Sequence, residues 1–151
     1  HDIFNDLFDL TSLDLSHNPI ISLDSRFFDF VMFLEDLNLS GTNVRKFLPG
    51  TFKSLKRLKT LDISANFFQS LDGEMLTKNG ELHTLKISHC SINEIGEHFF
   101  DKLPKLDLVE SRGNRCFDGL AFGDNDKIKQ KFATCIENDE RKRRGLRNEE
   151  L

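Results

Sequence analysis

The sequence predicts an α/β repeat fold, a solenoid with a curved parallel sheet on its concave side and irregular or short helical segments on its convex side. Leucines that start similar segments recur every 24 residues, at Leu10, Leu34, Leu58, Leu82 and Leu106. The segment from Leu58 reads L-x-x-L-x-L-x-x-N-x-L, which fits neither a helix of period 3.6 nor a plain strand of period 2. Self-similarity at this spacing indicates stacked copies of one unit, none of which would fold alone.

Each unit begins with a short predicted strand that alternates apolar and polar residues. Its central position holds Leu13, Leu37, Leu61, Leu85 and Val109. Because successive side chains of a strand point to opposite faces, these residues are expected in the core and their polar neighbours on the concave surface.

Two further positions of the unit complete the predicted core. One, the asparagine column, holds Asn18, Thr42, Asn66, Cys90 and Asn114, and an asparagine there is expected to bond backbone groups where the chain leaves the strand. The other holds Phe28, Phe52, Leu76 and Phe100, which are expected to stack on the far side. Since Leu76 and Asn79 break this second pattern, the sequence predicts a looser convex side in the repeat that begins at Leu58.

The predicted domain organisation has three parts. Leucine-led repeats fill residues 1–116, and residues 1–9 read as a partial repeat because Phe4 and Leu7 already occupy repeat positions. This suggests a fragment of a longer chain. Residues 117–136 are predicted to form a C-terminal cap, in which Asp124 or Asn125 starts a helix that places Ile128, Phe132 and Cys135 on one face. Residues 137–151 carry balanced charge and few apolar residues, so they are predicted to be a disordered tail.

The composition disfavours several classes of function. A formal net charge of −4 argues against nucleic acid as a partner, because phosphate contacts need clustered lysine and arginine. No apolar run reaches the roughly 18 residues of a membrane helix, so this segment is not expected to insert into a membrane. No C-x-x-C motif or nearby histidine pair suggests a metal, and no other cofactor is expected. Titratable groups do not converge on a pocket, so we do not expect an enzyme.

The three cysteines leave the compartment open. Cys90 stands in the asparagine column and is expected to be a buried free thiol. Cys116 and Cys135 bracket the predicted cap, and a disulfide between them would pin the cap helix and indicate an extracellular protein. Two reduced core thiols in a cytoplasmic repeat protein are the alternative.

The repeat pattern, extended to L-x-x-L-x-L-x-x-N-x-L-x-x-L-x-x-x-x-F-x-x-L over about residues 4–116, resembles the typical 24-residue class of leucine-rich repeats. That class is abundant in animal extracellular proteins such as Toll-like receptors and adhesion proteins. Segment 113–117, G-N-R-C-F, followed by Cys135, resembles a two-cysteine variant of their C-terminal cap, without the C-x-C and Trp of the fuller form. The resemblance implies a leucine-rich-repeat solenoid that binds proteins through its concave face. It carries over no individual binding residue.

Candidate partner-binding residues follow from the strand pattern. The polar residues expected on the concave face are Asp14, His17, Asp36, Asn38, Asp62, Lys86, His89, Glu110 and Arg112. Three aspartates make the first half of this face acidic, which could suit a basic partner segment. Small residues at Gly41, Ala65 and Gly113 are expected to leave the sheet flat, and aromatic anchors are missing from these positions. Asn38-Leu39-Ser40 is also an N-glycosylation sequon.

These observations predict a non-enzymatic protein–protein interaction module for extracellular recognition or adhesion. Its partner would be a protein ligand or receptor, and it would be secreted or part of the ectodomain of a membrane protein. Two alternatives are an intracellular, cytoplasmic scaffold or adaptor, and a structural spacer within a larger receptor ectodomain. The residues that precede His1 would help to decide between them.

Overall fold

In the described part of the chain, the main sheet contains six short strands and follows the predicted repeat. The computed structural model describes residues 7–21 and 23–136 of the chain, so Phe4 and the predicted tail at 137–151 lie outside the described residues. The strands of this sheet are β1 (Ser12–Asp14), β2 (Asp36–Asn38), β3 (Thr60–Asp62), β5 (Thr84–Lys86), β7 (Leu108–Glu110) and β8 (Leu120–Phe122). A 3₁₀ helix, Phe27–Val31, lies on the convex side of the first repeat.

The register of the sheet reproduces the 24-residue spacing. The strand centres align in one row, Leu13↔Leu37↔Leu61↔Leu85↔Val109, between parallel neighbours. All but the first are buried, whereas Leu13 is half-buried because β1 is the first strand of the sheet in the described residues. The predicted leucine-rich-repeat solenoid is therefore confirmed.

Two features of the sheet structure differ from the prediction. The predicted cap was expected to contain a helix, but it also contains a strand, β8, which pairs antiparallel with β7, with Val109 opposite Ala121. A second, two-stranded parallel sheet, formed by β4 (Ser70–Leu71) and β6 (Glu94–Ile95), was not predicted at all. The reversal at β8 closes a sheet that is otherwise parallel throughout.

Two asparagines of the column, Asn66 and Asn114, bond turn backbone groups as predicted, and these bonds also join successive repeats. Asn66 is almost fully buried, and its Oδ1 accepts hydrogen bonds from the Thr42 and Val44 N–H groups, both at 3.1 Å. Asn114 repeats this arrangement two turns further on, accepting from the Cys90 and Ile92 N–H groups. Each asparagine thus supplies the hydrogen bonds that water would otherwise make to backbone groups of the turn, which are buried in the core.

The expectation of a loose convex side beside Asn79 is wrong. Asn79 is only 1% exposed, and its Nδ2 donates to the carbonyl oxygens of Phe52 and Leu55, each at 2.9 Å. The amide nitrogen replaces the missing apolar contact with two hydrogen bonds to the preceding repeat, while Asn79 Oδ1 is buried without a partner among the described residues. Leu76 is equally buried, so the convex wall is continuous here.

The expected cap helix is present, and of the two candidates Asp124 is its N-cap. The Asp124 carboxylate accepts a hydrogen bond from Lys127 N–H at 2.9 Å, and helix α1 (Asn125–Lys131) follows. Ile128 and Phe132 are buried, and the Phe132 ring packs 5.3 Å from that of Phe100. The helix therefore extends the phenylalanine stack over the last repeat.

A disulfide and an ion pair fasten the cap to the repeats. Cys116 and Cys135 are disulfide-bonded, with their Cα atoms 5.1 Å apart. The Lys129 ammonium donates to Asp101 at 2.7 Å, and His98 Nδ1 lies 2.8 Å from the same carboxylate. The hydrogen bond from Lys129, and after it that from His98, holds the pKa of Asp101 below its ordinary value. The hydrogen bond to Asp101 raises the pKa of His98.

Candidate functional site

The concave face of the main sheet carries two rows of side chains, one on each side of the buried leucine row. One row is Ser12, Asp36, Thr60, Thr84 and Leu108, and the other is Asp14, Asn38, Asp62, Lys86 and Glu110. Both rows are exposed or half-buried. At a strand spacing of about 4.8 Å, each row spans roughly 19 Å. The sheet therefore brings the predicted strand residues together on one surface.

Three members of the second row also have a local structural role that the sequence did not reveal. The side-chain oxygens of Asp14, Asn38 and Asp62 accept hydrogen bonds from the backbone N–H two residues on, at 2.8, 3.0 and 2.9 Å. The hydrogen bonds that Ser16 donates hold the pKa of Asp14 below its ordinary value. Asp14, Asn38 and Asp62 are thus fixed in orientation on the face, and the ionised form of Asp14 is favoured.

One position of the repeat is determined by its backbone conformation and does not form a flat part of the sheet. It is held by His17, Gly41, Ala65, His89 and Gly113. All five residues have φ between 54° and 72°, in the left-handed region, where the chain turns out of the strand. A Cβ added to Gly41 would lie 2.7 Å from Nδ1 of His17, and Gly113 is similarly covered by His89. Glycine is favoured here because it tolerates this φ and leaves room for the imidazole of the preceding repeat. The two histidines therefore lie at the edge of the face.

Arg112 lies just beyond the end of β7, where its carbonyl oxygen accepts a hydrogen bond from His89 N–H at 2.7 Å. Its backbone N–H donates to Ser88 Oγ at 3.1 Å, and Ser88 N–H donates in the same way to Ser64 Oγ at 3.1 Å. Ser64 and Ser88 therefore each accept a hydrogen bond from the backbone of the next repeat. These bonds leave the Arg112 side chain exposed at the rim of the face.

The concave face has an apolar end that the sequence prediction missed. Because β8 pairs with β7, Phe122 lies opposite Leu108 and Leu120 lies opposite Glu110 on the concave side of Ala121. Phe122 is 73% exposed and Leu120 39% exposed. The alternation Leu-Ala-Phe, flanked by Gly119 and Gly123, was the available signal for a strand.

The predicted glycan at Asn38 is disfavoured by its surroundings. Asn38 lies in β2 and is half-buried, and its Oδ1 accepts from Ser40 N–H. Its side chain also hydrogen-bonds Asp14. A sugar would be attached at Nδ2 of this half-buried side chain, and glycosylation here remains only a prediction from the sequon.

Within 7–21 and 23–136, no group of three or more His, Cys, Asp or Glu side chains is arranged to hold a metal ion. In the same part of the chain, no helix has the length and apolar character needed to cross a bilayer.

Comparisons with known proteins agree with this architecture. The family described as Leucine rich repeat matches residues 8–68 and 56–115. Tsukushi of Gallus gallus is 29% identical over 117 residues, which cover 76% of this chain and 32% of Tsukushi. Receptor-like protein EIX2 of Solanum lycopersicum is 34% identical over 123 residues, covering 76% of this chain and 12% of that protein. The chain thus spans a third or less of these relatives.

Solved structures of larger receptors contain the same fold. In the TLR13–ssRNA13 complex, a chain with 29% identity superposes with a TM-score of 0.67, covering 84% of this chain and 17% of the receptor chain. A chain of the Toll–Spatzle complex of Drosophila gives a TM-score of 0.69 at 20% identity, covering 76% of this chain and 15% of that chain. At this lower identity, the second likeness concerns the fold alone.

Proposed function

The chain belongs to the leucine-rich-repeat family, and on that premise we propose that it is a non-enzymatic recognition module that binds a protein partner on the concave face of its sheet, outside the cell. The observation that carries this proposal is the exposed Phe122 on β8, beside Leu108 and Leu120. Aromatic anchors dominate the energy of protein interfaces. An apolar ring on a regular strand that is 73% exposed is best explained by a partner that covers it.

The two ends of the face would contribute differently to binding. The apolar end would supply the buried anchor. The acidic end, with Asp14, Asp36 and Asp62, would favour a basic partner segment and fix its direction along the sheet. Lys86, between the two ends, would oppose a basic segment that shifted along the row.

The disulfide and the buried free thiol support an extracellular setting. The Cys116–Cys135 disulfide is typical of an oxidising compartment. Burial raises the pKa of the Cys90 thiol to about 11, which keeps it protonated and unreactive. The name of the relative Receptor-like protein EIX2 also supports a receptor-type recognition role. An intracellular scaffold would require the disulfide to be reduced.

A photocrosslinking amino acid at position 122 tests this proposal on intact cells and secreted material. We expect it to crosslink a protein partner, whereas the same group in place of Phe67 should not. Phe67 is 59% exposed and follows the asparagine column, away from the strand rows, so it is a matched control. Phe122→Ser should then weaken binding of the isolated partner by roughly 30-fold or more, as expected for a hot spot. Phe67→Ser should leave that binding unchanged.

The acidic end is tested by changing Asp14, Asp36 and Asp62 to asparagine together. Asparagine removes the charge but keeps the oxygen that accepts the turn N–H at positions 14 and 62, so the fold should be retained. We expect slower association and a weaker dependence on salt. If the crosslinked partner binds the Phe122→Ser and triple variants as it binds the unchanged protein, the concave-face proposal is wrong and the spacer alternative is favoured.

A further inference from the structure

A shallow groove on the convex side gathers positive charge. It has a volume of about 570 Å³ and is lined mainly by Met32, Phe33, Lys53, Lys56, Arg57 and Lys78. Its four basic residues are all exposed. Because the formal net charge of the chain is −4, this concentration of cations does not follow from its overall composition.

The cations of this basic groove lack the partners that nearby lysines have. Lys59 pairs with Glu35 at 2.9 Å, and Lys105 pairs with Glu81 at 2.6 Å. In contrast, Lys53, Lys56, Arg57 and Lys78 form no ion pair within the described ranges 7–21 and 23–136. Their charge is available to an external anion.

One of these cations is already held in place. The Arg57 guanidinium carbon lies 4.5 Å from the centroid of the Phe33 ring, in a cation–π contact. This contact orients Arg57 before any ligand arrives and lowers the cost of ordering it. It also covers one face of Phe33, the aromatic ring that lines the groove.

We propose that the basic groove binds a sulfated polysaccharide of the glycosaminoglycan class. Closely spaced ammonium and guanidinium groups complement a chain of sulfates, and arginine recognises such oxyanions with paired N–H groups. The inference rests on the proposed extracellular function, since such polymers lie outside the cell. The groove is on the convex side, so a glycan and a concave-face protein partner could be bound together.

Other polyanions fit the groove less well. Single-stranded nucleic acid binds through bases stacked on aromatic rings as well as through charge, and Arg57 already occupies a face of Phe33. Anionic lipids are concentrated in the cytoplasmic leaflet, which an extracellular protein does not meet. The contacts available in the groove are therefore mainly point charges with hydrogen-bond donors.

Heparin is the probe, and its dissociation constant is measured by calorimetry at several salt concentrations. The groove variant changes Lys53, Lys56, Arg57 and Lys78 to glutamine. The slope of log Kd against log salt should fall by about 3, at roughly 0.7–0.9 for each lost ionic contact. A control variant makes the same change of charge away from the groove, at the exposed residues Arg45, Lys46, Arg115 and Lys131, and should keep the original slope.

Additional arms separate the possible ligands and protect against a folding defect. A smaller variant, Lys53→Gln with Lys78→Gln, leaves the Arg57–Phe33 contact intact and should lose about half of the slope. Desulfated heparin should bind much more weakly than heparin. The proposal would be overturned if the control variant lost as much of the slope as the groove variant. Tighter binding of the protein to single-stranded RNA or to phosphatidylserine vesicles than to heparin would also overturn it.

The two proposals fail separately. Phe122→Ser and the triple aspartate variant should bind heparin as the unchanged protein does, and the groove variant should still bind the concave-face partner. If only the concave-face proposal is wrong, the salt-dependent affinity for heparin should still be measurable.

Discussion

Removal of the Asn66 side chain should reveal how much the asparagine column contributes to stability. In Asn66→Ala, the Thr42 and Val44 N–H groups lose their acceptor, Asn66 Oδ1. The carbonyl oxygens of Leu39 and Ile63, each 2.9 Å from Asn66 Nδ2, lose a donor. A buried polar group left unpaired costs about 1–3 kcal/mol, but relaxation and shared partners reduce the sum. We therefore expect a loss of about 3–4 kcal/mol in the free energy of unfolding.

Asn18→Ala is the matched control in the same column. Asn18 is exposed, and its Nδ2 donates to the Leu15 and Ser16 carbonyl oxygens, which lie within its own turn. Water can replace these bonds, so we expect a cost below about 1 kcal/mol. Urea unfolding followed by circular dichroism gives both values, provided that the m-values agree.

The reverse change, Cys90→Asn, should stabilise the protein. The Cys90 thiol contacts the Ile63 and Ser88 carbonyl oxygens at 3.3 and 3.4 Å, but it supplies no strong acceptor. By analogy with the neighbouring repeats, asparagine would accept from the N–H groups of Asn66 and Phe68. The expected net gain is about 1 kcal/mol, since the added atoms offset part of two new hydrogen bonds.

The three variants together can refute this account. Equal costs for Asn66→Ala and Asn18→Ala would show that the buried hydrogen bonds carry no special weight. Destabilisation of Cys90→Asn by more than about 1 kcal/mol would show that cavity shape, rather than hydrogen bonding, selects the residue in this column.

Three further predictions concern the turns and the cap. Gly113→Ala should cost about 1–2 kcal/mol in thermal unfolding, because alanine is unfavourable at φ 72° and would meet the His89 ring; Gly80→Ala, whose Cβ would meet nothing closer than 3.7 Å, should be neutral or slightly stabilising. Serine at both Cys116 and Cys135 should lower the free energy of unfolding by about 3 kcal/mol, measured against urea, and reductant should then have no further effect. Because the pKa of Asp101 is lowered on folding from its ordinary 3.8, its contribution is present above that value and is lost as the pH falls through the folded pKa; unfolding midpoints of Asp101→Asn and the unchanged protein should therefore differ at pH 7 and converge in acid.

The repeat core could be predicted from the sequence because each unit places apolar residues at the same positions and must bury them against its neighbours. Leu37, Leu61 and Leu85 occupy one position of the unit, and stacking identical units leaves one register that keeps them all buried. The capping role of Asp124 was similarly readable, because an N-cap depends on neighbouring residues alone.

The features that were missed depend on contacts between distant segments. Ala65 was interpreted as a small surface residue, yet its φ of 54° is imposed by the turn that all repeats share. Asn79 looked like a defect because its two carbonyl partners belong to the preceding repeat. Each residue follows a rule that only the stacked structure makes visible.

The candidate site was predicted where it lies on the repeats and missed where it lies on the cap. Asp36 and Lys86 follow the repeat, so their face was known once the leucines were assigned. Phe122 lies outside the repeat, and the direction of a three-residue strand cannot be read from its composition. Its place on the concave face depends on the reversal of the chain between β7 and β8.

That reversal also limits how a longer version of this protein could be engineered. A duplicated 24-residue unit inserted ahead of β7 would meet parallel neighbours on both sides and should be tolerated. The same unit placed after β8 would meet a strand of opposite polarity and would displace α1 from the core it covers. We therefore expect variants with a longer concave face to be obtained by internal duplication. Each added unit should move the acidic end away from Phe122 by about 4.8 Å.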